Sequence, residues 1–403
     1  MEDQMKFATF EISDEKGSGI FEDTQIENET EEDIQNLDSL SFSNMAISGT
    51  DWTVETIINQ MKKGNIQLDP SFQRRDAWTA KVKSKFVESL FLGLPIPQII
   101  LAEQKDKRGK FIVIDGKQRL LSLKQFVLPD EGEKPLKLTG LDVIPKFNQM
   151  TYEKISNGMY FEELDAFNNQ PIRTVVIKNW GNVETLYLLF LRLNTGSVKL
   201  SPQELRQALY PGKFVEFVNK ASYENSYLHQ MLGIKNPDFR MRDVEILTRF
   251  FAFHFYADEY KGSMQSFLDM TCEKLNKSFA EKENEIIAAL SAFNSAVSIT
   301  IQIFSNDHAF RKYKGGKYEP KYNRAVIDIM LYYFSQLEDS LFTLKRGKNI
   351  CNQFEELCTS DRSFIAALES TTKSLSATHY RFRKWGEILA KITSEPFCIP
   401  KGY

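Results

Sequence analysis

The pentapeptide Asp115-Gly116-Lys117-Gln118-Arg119 constrains this chain more tightly than any other stretch. It follows the apolar run Phe111-Ile112-Val113-Ile114, which reads as a buried strand. It precedes Leu120-Leu121-Ser122-Leu123-Lys124-Gln125-Phe126, whose apolar spacing is helical. A strand therefore ends in Asp-Gly, and a helix opens with Lys, Gln and Arg in its first turn. Cations are disfavoured at that end, where the macrodipole is positive. Free backbone N–H groups, the dipole and side-chain cations together make a site for a phosphate. A purely local account also exists, in which Asp115 caps the helix and Gly116 relieves a tight turn. The pentapeptide alone leaves both open.

The surrounding pattern predicts alternating helices and strands. A short helix runs from about Trp52-Thr53 to Lys63 and stops at Gly64. Ile66-Gln67-Leu68 reads as a strand. Pro70 to Trp78 is a polar loop anchored by Phe72 and Trp78, and Ala80 to Leu92 is a helix. Gly93-Leu94-Pro95-Ile96-Pro97 ends that helix and feeds the strand Gln98–Ala102, and a charged turn at 105–110 leads into the strand before the pentapeptide. A further strand is expected over Ile172–Ile177. From Val183 onward the chain reads as helices, among them 186–191, one opened by the Ser201-Pro202-Gln203-Glu204 cap, 263–277, 281–304, 323–337 and 379–392. The fold class expected is α+β, with a small mixed α/β domain at about 51–180 and a mainly α-helical region at 181–403.

The net charge of −3 is unevenly spread. Residues 1–50 hold 13 acidic and 2 basic residues, and the remainder of the chain is net basic by 8. With no Trp, Tyr or Pro, residues 1–50 are expected to be an acidic, disordered or loosely docked tail. Two roles stay open for it: a solvated leader, or a shield over a basic surface. Cys272, Cys351, Cys358 and Cys398 form no CxxC pair, so reduced thiols of a cytoplasmic protein are expected. No run is expected to cross a membrane.

Several segments line up in one order. Gln73-Arg74 with Trp78 comes first, then Gly93-Leu94-Pro95-Ile96-Pro97, the Asp115–Arg119 pentapeptide, Leu193-Asn194-Thr195-Gly196, Leu200-Ser201 and Glu204-Leu205-Arg206. In this the chain resembles the DGQQR-motif family, the N-terminal domain of GmrSD-type modification-dependent restriction endonucleases, over about residues 53–255. That family's fold is similar to the ParB N-terminal and sulfiredoxin domains, which bind nucleotides through a strand–Gly–helix element with an Arg. The resemblance implies an NTP-binding, NTP-hydrolysing component of a bacterial restriction or anti-phage system that acts on or senses DNA. It places Gln73 and Arg74 beside the pentapeptide and matches Asn194 and Arg206 to family positions. Two departures stand out. Lys117 replaces the usual second Gln, which adds charge. The four His (His229, His254, His308, His379) are scattered, without the paired His and Asn of an HNH nuclease.

A nucleoside triphosphatase needs cationic donors, a hard metal and a group that positions water. With no Walker A sequence, a P-loop mechanism is excluded. Gly116, Lys117 and Arg119 are the phosphate candidates, joined by Gln73, Arg74 and Asn194 through the resemblance. Asp115 is the candidate to hold Mg²⁺ or orient water, and Gln118 to donate to phosphate or position water. Two basic stretches interleave cations with rings: Arg311 to Arg324, with Lys312, Lys314 and Lys317, and His379 to Trp385, with Arg381, Arg383 and Lys384. That pattern suits nucleic-acid backbones and unstacked bases, and equally an ordinary loop and amphipathic helix. The partners expected are an NTP, DNA and a separate nuclease or defence-system protein, with no membrane. Two other functions remain open: a non-catalytic DNA-binding regulator that uses nucleotide as a ligand, and a nuclease with an unrecognised site.

Overall fold

Four segments of alternating or continuous apolar character pair into one sheet of order β1-β4-β2-β3. Strand β1 (Ala46–Thr53) runs antiparallel to β4 (Pro171–Lys178), β4 runs parallel to β2 (Ile99–Gln104), and β2 turns back antiparallel into β3 (Lys107–Asp115). The computed structural model describes residues 44–66, 68, 78–105, 107–193, 201–238, 240–337, 344–369 and 374–401.

Strand β1 begins at Ala46, inside the stretch expected as a tail. Ala46 to Thr53 pairs with Lys178 to Pro171 without a register shift. Composition averaged over fifty residues hid this uncharged edge segment, Ala46-Ile47-Ser48-Gly49-Thr50. The acidic part proper, residues 1–43, lies outside the described residues.

Local signals set the helix ends. Thr53 caps α1 (Val54–Lys62) by accepting from Thr56 N at 3.1 Å, and Thr79 caps α2 (Ala80–Phe91) by accepting from Val82 N. Helix α3 (Lys117–Val127) follows β3 directly. Short helices α4 (Tyr152–Ser156) and α5 (Phe161–Asn169) then lead to β4. Phe91, Phe126, Phe147 and Phe167 pack as one aromatic cluster, with Phe91 stacked on Phe167 at 4.6 Å. Helices α6 (Val183–Leu193) and α7 (Pro202–Leu209) pack against β3. Phe111 on one face of β3 and Ile112 and Ile114 on the other are all buried, as expected of a strand covered on both sides.

The chain divides into two compact units, one ending at Leu209 and the other starting at Tyr210. The first unit thus extends past residue 180 to include α6 and α7. The second is helical: α8 (Lys213–Glu224), α9 (Ser226–Leu232), α10 (Arg242–Tyr256), α11 (Met264–Lys277), α12 (Phe279–Phe304), α13 (Arg324–Phe334), α14 (Gly347–Ser360), α15 (Arg362–Glu369) and α16 (Leu375–Thr393). A hairpin, β5 (Arg311–Lys314) and β6 (Lys317–Tyr322), interrupts it. Every residue of α13 is buried, and Asn323 caps it. The architecture is therefore the expected α+β one with a helical second part.

Helix α12 departs from the expectation about membranes. Residues 286–304 carry no charge, and by length and composition this helix would span a bilayer. Its buried residues Ile286, Ala289, Phe293, Ala296, Val297 and Thr300 recur at three- and four-residue spacing, and α12 packs on α13 and α14. Ser291, Ser295 and Gln302 are exposed on the other side. That is the pattern of an amphipathic helix packed along one face. The four thiols are free, Cys272 and Cys358 being buried and Cys398 exposed, and burial pushes Cys358 up to about 12.

Candidate functional site

Strand β3 ends at Asp115, which pairs with Ile100 of β2, and α3 begins two residues later. The reversal between them falls on Gly116, at φ 97. An L side chain is strained at this φ, and a Cβ here would stand 3.0 Å from Ile99 and 3.3 Å from the Arg119 guanidinium. Gly116 occupies the N-cap position and supplies no side-chain cap. Asp115 is therefore not the helix cap. Its Oδ1 accepts from Gly116 N at 2.8 Å, and its Oδ2 accepts from Arg119 Nη2 at 3.1 Å.

Arg119 folds back over the turn. Its Nη2 also donates to the carbonyl of Gln98 at 2.9 Å, immediately after the Pro95–Pro97 segment. The side chain is 13 % exposed, and its buried Nε has no hydrogen-bond partner among the described residues. Burial pulls the guanidinium below its ordinary value while Asp115 pulls it back up. It stays charged at neutral pH, because an arginine does not deprotonate in a protein. A buried cation with an unmet donor, in the first turn of a helix, is one anion short of satisfied.

The neighbouring residues do different work. Lys117 is buried, and its Nζ forms an ion pair with Glu204 Oε1 of α7. Glu204 Oε2 accepts from Ser201 N at 2.6 Å, and Ser201 Oγ accepts from Glu204 N at 3.2 Å. This is the capping box expected from the sequence. Gln118 is buried too, and its Oε1 accepts from Trp78 N at 3.4 Å. Trp78 packs edge-on against Phe86, as an anchor should. Trp78 itself thus lies against the pentapeptide, while Gln73 and Arg74 lie outside the described residues, as does Asn194. Arg206 is fully buried and donates to Gln203 Oε1 at 2.6 Å, one helical turn away.

Among the described residues, no three His, Cys, Asp or Glu groups converge as a metal cluster. Mg²⁺ at phosphates commonly takes one or two carboxylates, with phosphate and water oxygens completing the shell. Asp115 alone meets that demand, since a carboxylate with two hydrogen bonds keeps lone pairs to spare.

The six cations read as nucleic-acid contacts divide sharply. Lys312 is buried between Glu319 (3.1 Å) and Glu369 (3.2 Å), and Arg381 is fully buried 3.5 Å from Asp328. Asp328 is also held by Arg249, through Nε at 3.0 Å and Nη2 at 2.6 Å. Neither Lys312 nor Arg381 faces solvent. Lys384 lies 3.5 Å from Asp361, and Lys314 is exposed but pairs with Glu369 at 2.9 Å. Lys317 and Arg383 are exposed. The Arg311–Arg324 stretch is no loose loop: Gly315 and Gly316, both at positive φ, close a two-residue hairpin turn. Sequence reasoning named Glu204 as a cap and motif residue but missed its pairing with Lys117, and it missed the roles of Gln98 and Asp328, which depend on partners far along the chain.

Residues 54–211 match the family model of the GmrSD restriction endonuclease N-terminal domain. The match bears out the family resemblance drawn from the motifs, takes in the whole strand–Gly–helix turn together with α7, and ends two residues past Leu209, short of the expected limit near residue 255. No curated protein and no solved structure matches the chain.

Proposed function

We propose that this chain, through its GmrSD-type N-terminal domain, is a cytoplasmic component of a bacterial restriction or anti-phage system. In this reading it binds a nucleoside triphosphate at the first turn of α3, hydrolyses it and acts on DNA. The observation that carries the proposal is Arg119: a buried guanidinium at a helix N-terminus, held over a positive-φ glycine, with Nε unpartnered among the described residues. The match to a restriction endonuclease domain sets the biological context.

The geometry suggests an exchange of partners. In the structure, Arg119 spends one amino group on Asp115 and on the Gln98 carbonyl. A phosphate arriving over the turn takes the Nε edge, together with backbone N–H groups at the start of α3, which have no partner within the helix. A doubly charged phosphate competes with Asp115 for the guanidinium. Asp115 is then released to hold Mg²⁺ or to orient the attacking water. Mg²⁺, when bound, supplies charge neutralisation on the phosphate oxygens. Gln118, with its carbonyl tied to Trp78, offers its amide nitrogen to phosphate. Lys117, committed to Glu204, has no phosphate role in this scheme.

The test is a hydrolysis screen of the four NTPs with Mg²⁺, with and without DNA, alongside calorimetric binding. Turnover in at least one lane is expected. Binding without turnover in any lane would leave nucleotide as a regulatory ligand only, and no binding would overturn the site.

A further inference from the structure

The pair Lys117–Glu204 is used by neither the sheet nor the proposed phosphate contact. Both side chains are 6 % exposed, and their charges lie on segments far apart in sequence. Lys117 is the first residue of α3, where a cation opposes the macrodipole. Glu204 is the third residue of α7, and its second oxygen holds Ser201 N. One carboxylate therefore joins the first turn of α3 to the cap of α7. Two residues beyond Lys117, on the same turn, stands Arg119.

We infer that Glu204 is a positioning residue for the phosphate site. It neutralises Lys117 and pins the first turn of α3, so that Arg119 and the backbone N–H groups are aimed at one point. Lys117 itself does not touch the ligand. The inference rests on the phosphate-binding reading above and adds a residue outside the pentapeptide to it. Without Glu204, a buried ammonium loses its carboxylate beside the positive end of a helix dipole, and the first turn must shift to bring it to water. Small shifts matter, because a misplacement of about 1 Å at a binding constellation costs up to about 100-fold.

The experiment measures the affinity of inorganic tripolyphosphate, which carries the charge of any nucleoside triphosphate, for folded protein. Six proteins are compared: wild type, Lys117→Gln, Glu204→Gln, the double variant, Arg119→Ala, and Arg119→Ala combined with Glu204→Gln. Each single change is expected to weaken affinity by about 10- to 100-fold. In the double variant two amides hydrogen-bond in place of the ion pair, and affinity should return to within about threefold of wild type, since a neutral pair of similar volume often replaces a buried ion pair without loss. On the Arg119→Ala background, Glu204→Gln should cost less than it does in the wild type, because only the backbone N–H groups remain to be misaimed.

A double variant as weak as Lys117→Gln would mean that Lys117 grips phosphate directly. That outcome overturns the positioning role and leaves the phosphate site standing. Tighter binding by Glu204→Gln would overturn it in the same way. Single variants with lowered melting temperatures but unchanged affinity would show a merely structural pair, which also refutes the role. If a single variant does not fold, the double variant decides alone, recovery supporting the role and weakness refuting it. Absence of binding by the wild type would instead overturn the phosphate reading, and this inference with it.

Discussion

The turn at residues 115–119 and the basic stretches at 311–324 and 379–385 look alike as sequence. Each sets Lys and Arg beside apolar or aromatic residues. The fold spends them differently. At the turn, Lys117 is neutralised by an acid of another helix, while Arg119 keeps an unmet donor over a glycine. In the second unit, Arg381 and Arg249 converge on Asp328, and Lys312 and Lys314 share Glu369. Cation density along a chain therefore says little about the charge on offer to a ligand. What decides is how much of each cation the carboxylates take up: Asp115 engages one amino group of Arg119 and leaves Nε, whereas Glu204, Asp328 and Glu369 reach Lys117, Arg249 and Lys312 from distant positions.

The contrast is broken most forcefully at Asp328. If the second unit's arginines are structural, Asp328→Ala takes from Arg381 and Arg249 the carboxylate they share in the core, leaving Arg249 with Glu245 at 3.8 Å. The expected loss is about 3–5 kcal/mol, the penalty for removing one partner of a buried charge cluster. Denaturant unfolding of the second unit should show a large drop in midpoint, and an unchanged midpoint would erase the distinction between the regions. Next comes Arg119→Ala. Here stability should hold while NTP affinity falls, by about 1.5–3 kcal/mol for a charged hydrogen bond and more if the phosphate is desolvated. Calorimetry on folded protein checks this. Undiminished affinity would return the turn to the class of ordinary strand–helix junctions. Asp115→Asn sharpens the same point: turnover should drop more than binding, since Asp115 is no cap and its loss spares the helix.

The fold was legible where the signal was local. The Thr53 and Ser201 caps, the Gly93 and Gly116 turns and the apolar spacing of α3 and α12 place elements within a few residues of their observed ends. Strand β1 was missed because it is an exposed edge strand of modest hydrophobicity, and only pairing with β4 reveals it. At the site, the pentapeptide itself was legible, and so was the exclusion of a P-loop. The division of labour within it was not. Whether Lys117 or Arg119 presents its charge depends on Glu204, whose pairing partner sequence spacing does not disclose. The same holds for Lys312 and Arg381, which read as surface cations until Glu369 and Asp328 are brought beside them.

The hairpin carries both an exposed and a spent lysine, so smaller effects there sharpen the comparison. Lys317 is exposed and Lys314 is shared with Glu369. If the proposed DNA contact uses this ribbon, Lys317→Ala should weaken binding uniformly across sequences and reduce the salt slope by about 1. Lys312→Ala should instead act on stability. A DNA titration at two salt concentrations separates them, and equal effects of both variants on DNA affinity would remove the distinction between offered and spent cations.

The smallest expected effect is a pH dependence that reports the spent cations directly. Partial burial pushes the Glu369 carboxyl up, but Lys314 and Lys312 together outweigh it and hold the group below the usual carboxylate range. The unfolded chain has no such partners, so its Glu takes up a proton near pH 4.3 while the folded protein resists. The unfolded state then binds more protons, and stability must fall as pH falls. The contribution is complete above about pH 4.3 and is lost as pH drops through the lower folded value. Because the Glu369 side chain remains 27 % exposed, solvent screening keeps the amount to about 1 kcal/mol. Melting curves of wild type and Glu369→Gln between about pH 5 and 3 should show a shallower decline for the variant. Parallel declines would mean that the hairpin lysines are not held by Glu369 in solution. Lys314 would then join Lys317 as charge available to a nucleic acid, and the hairpin would come to resemble the Arg119 turn.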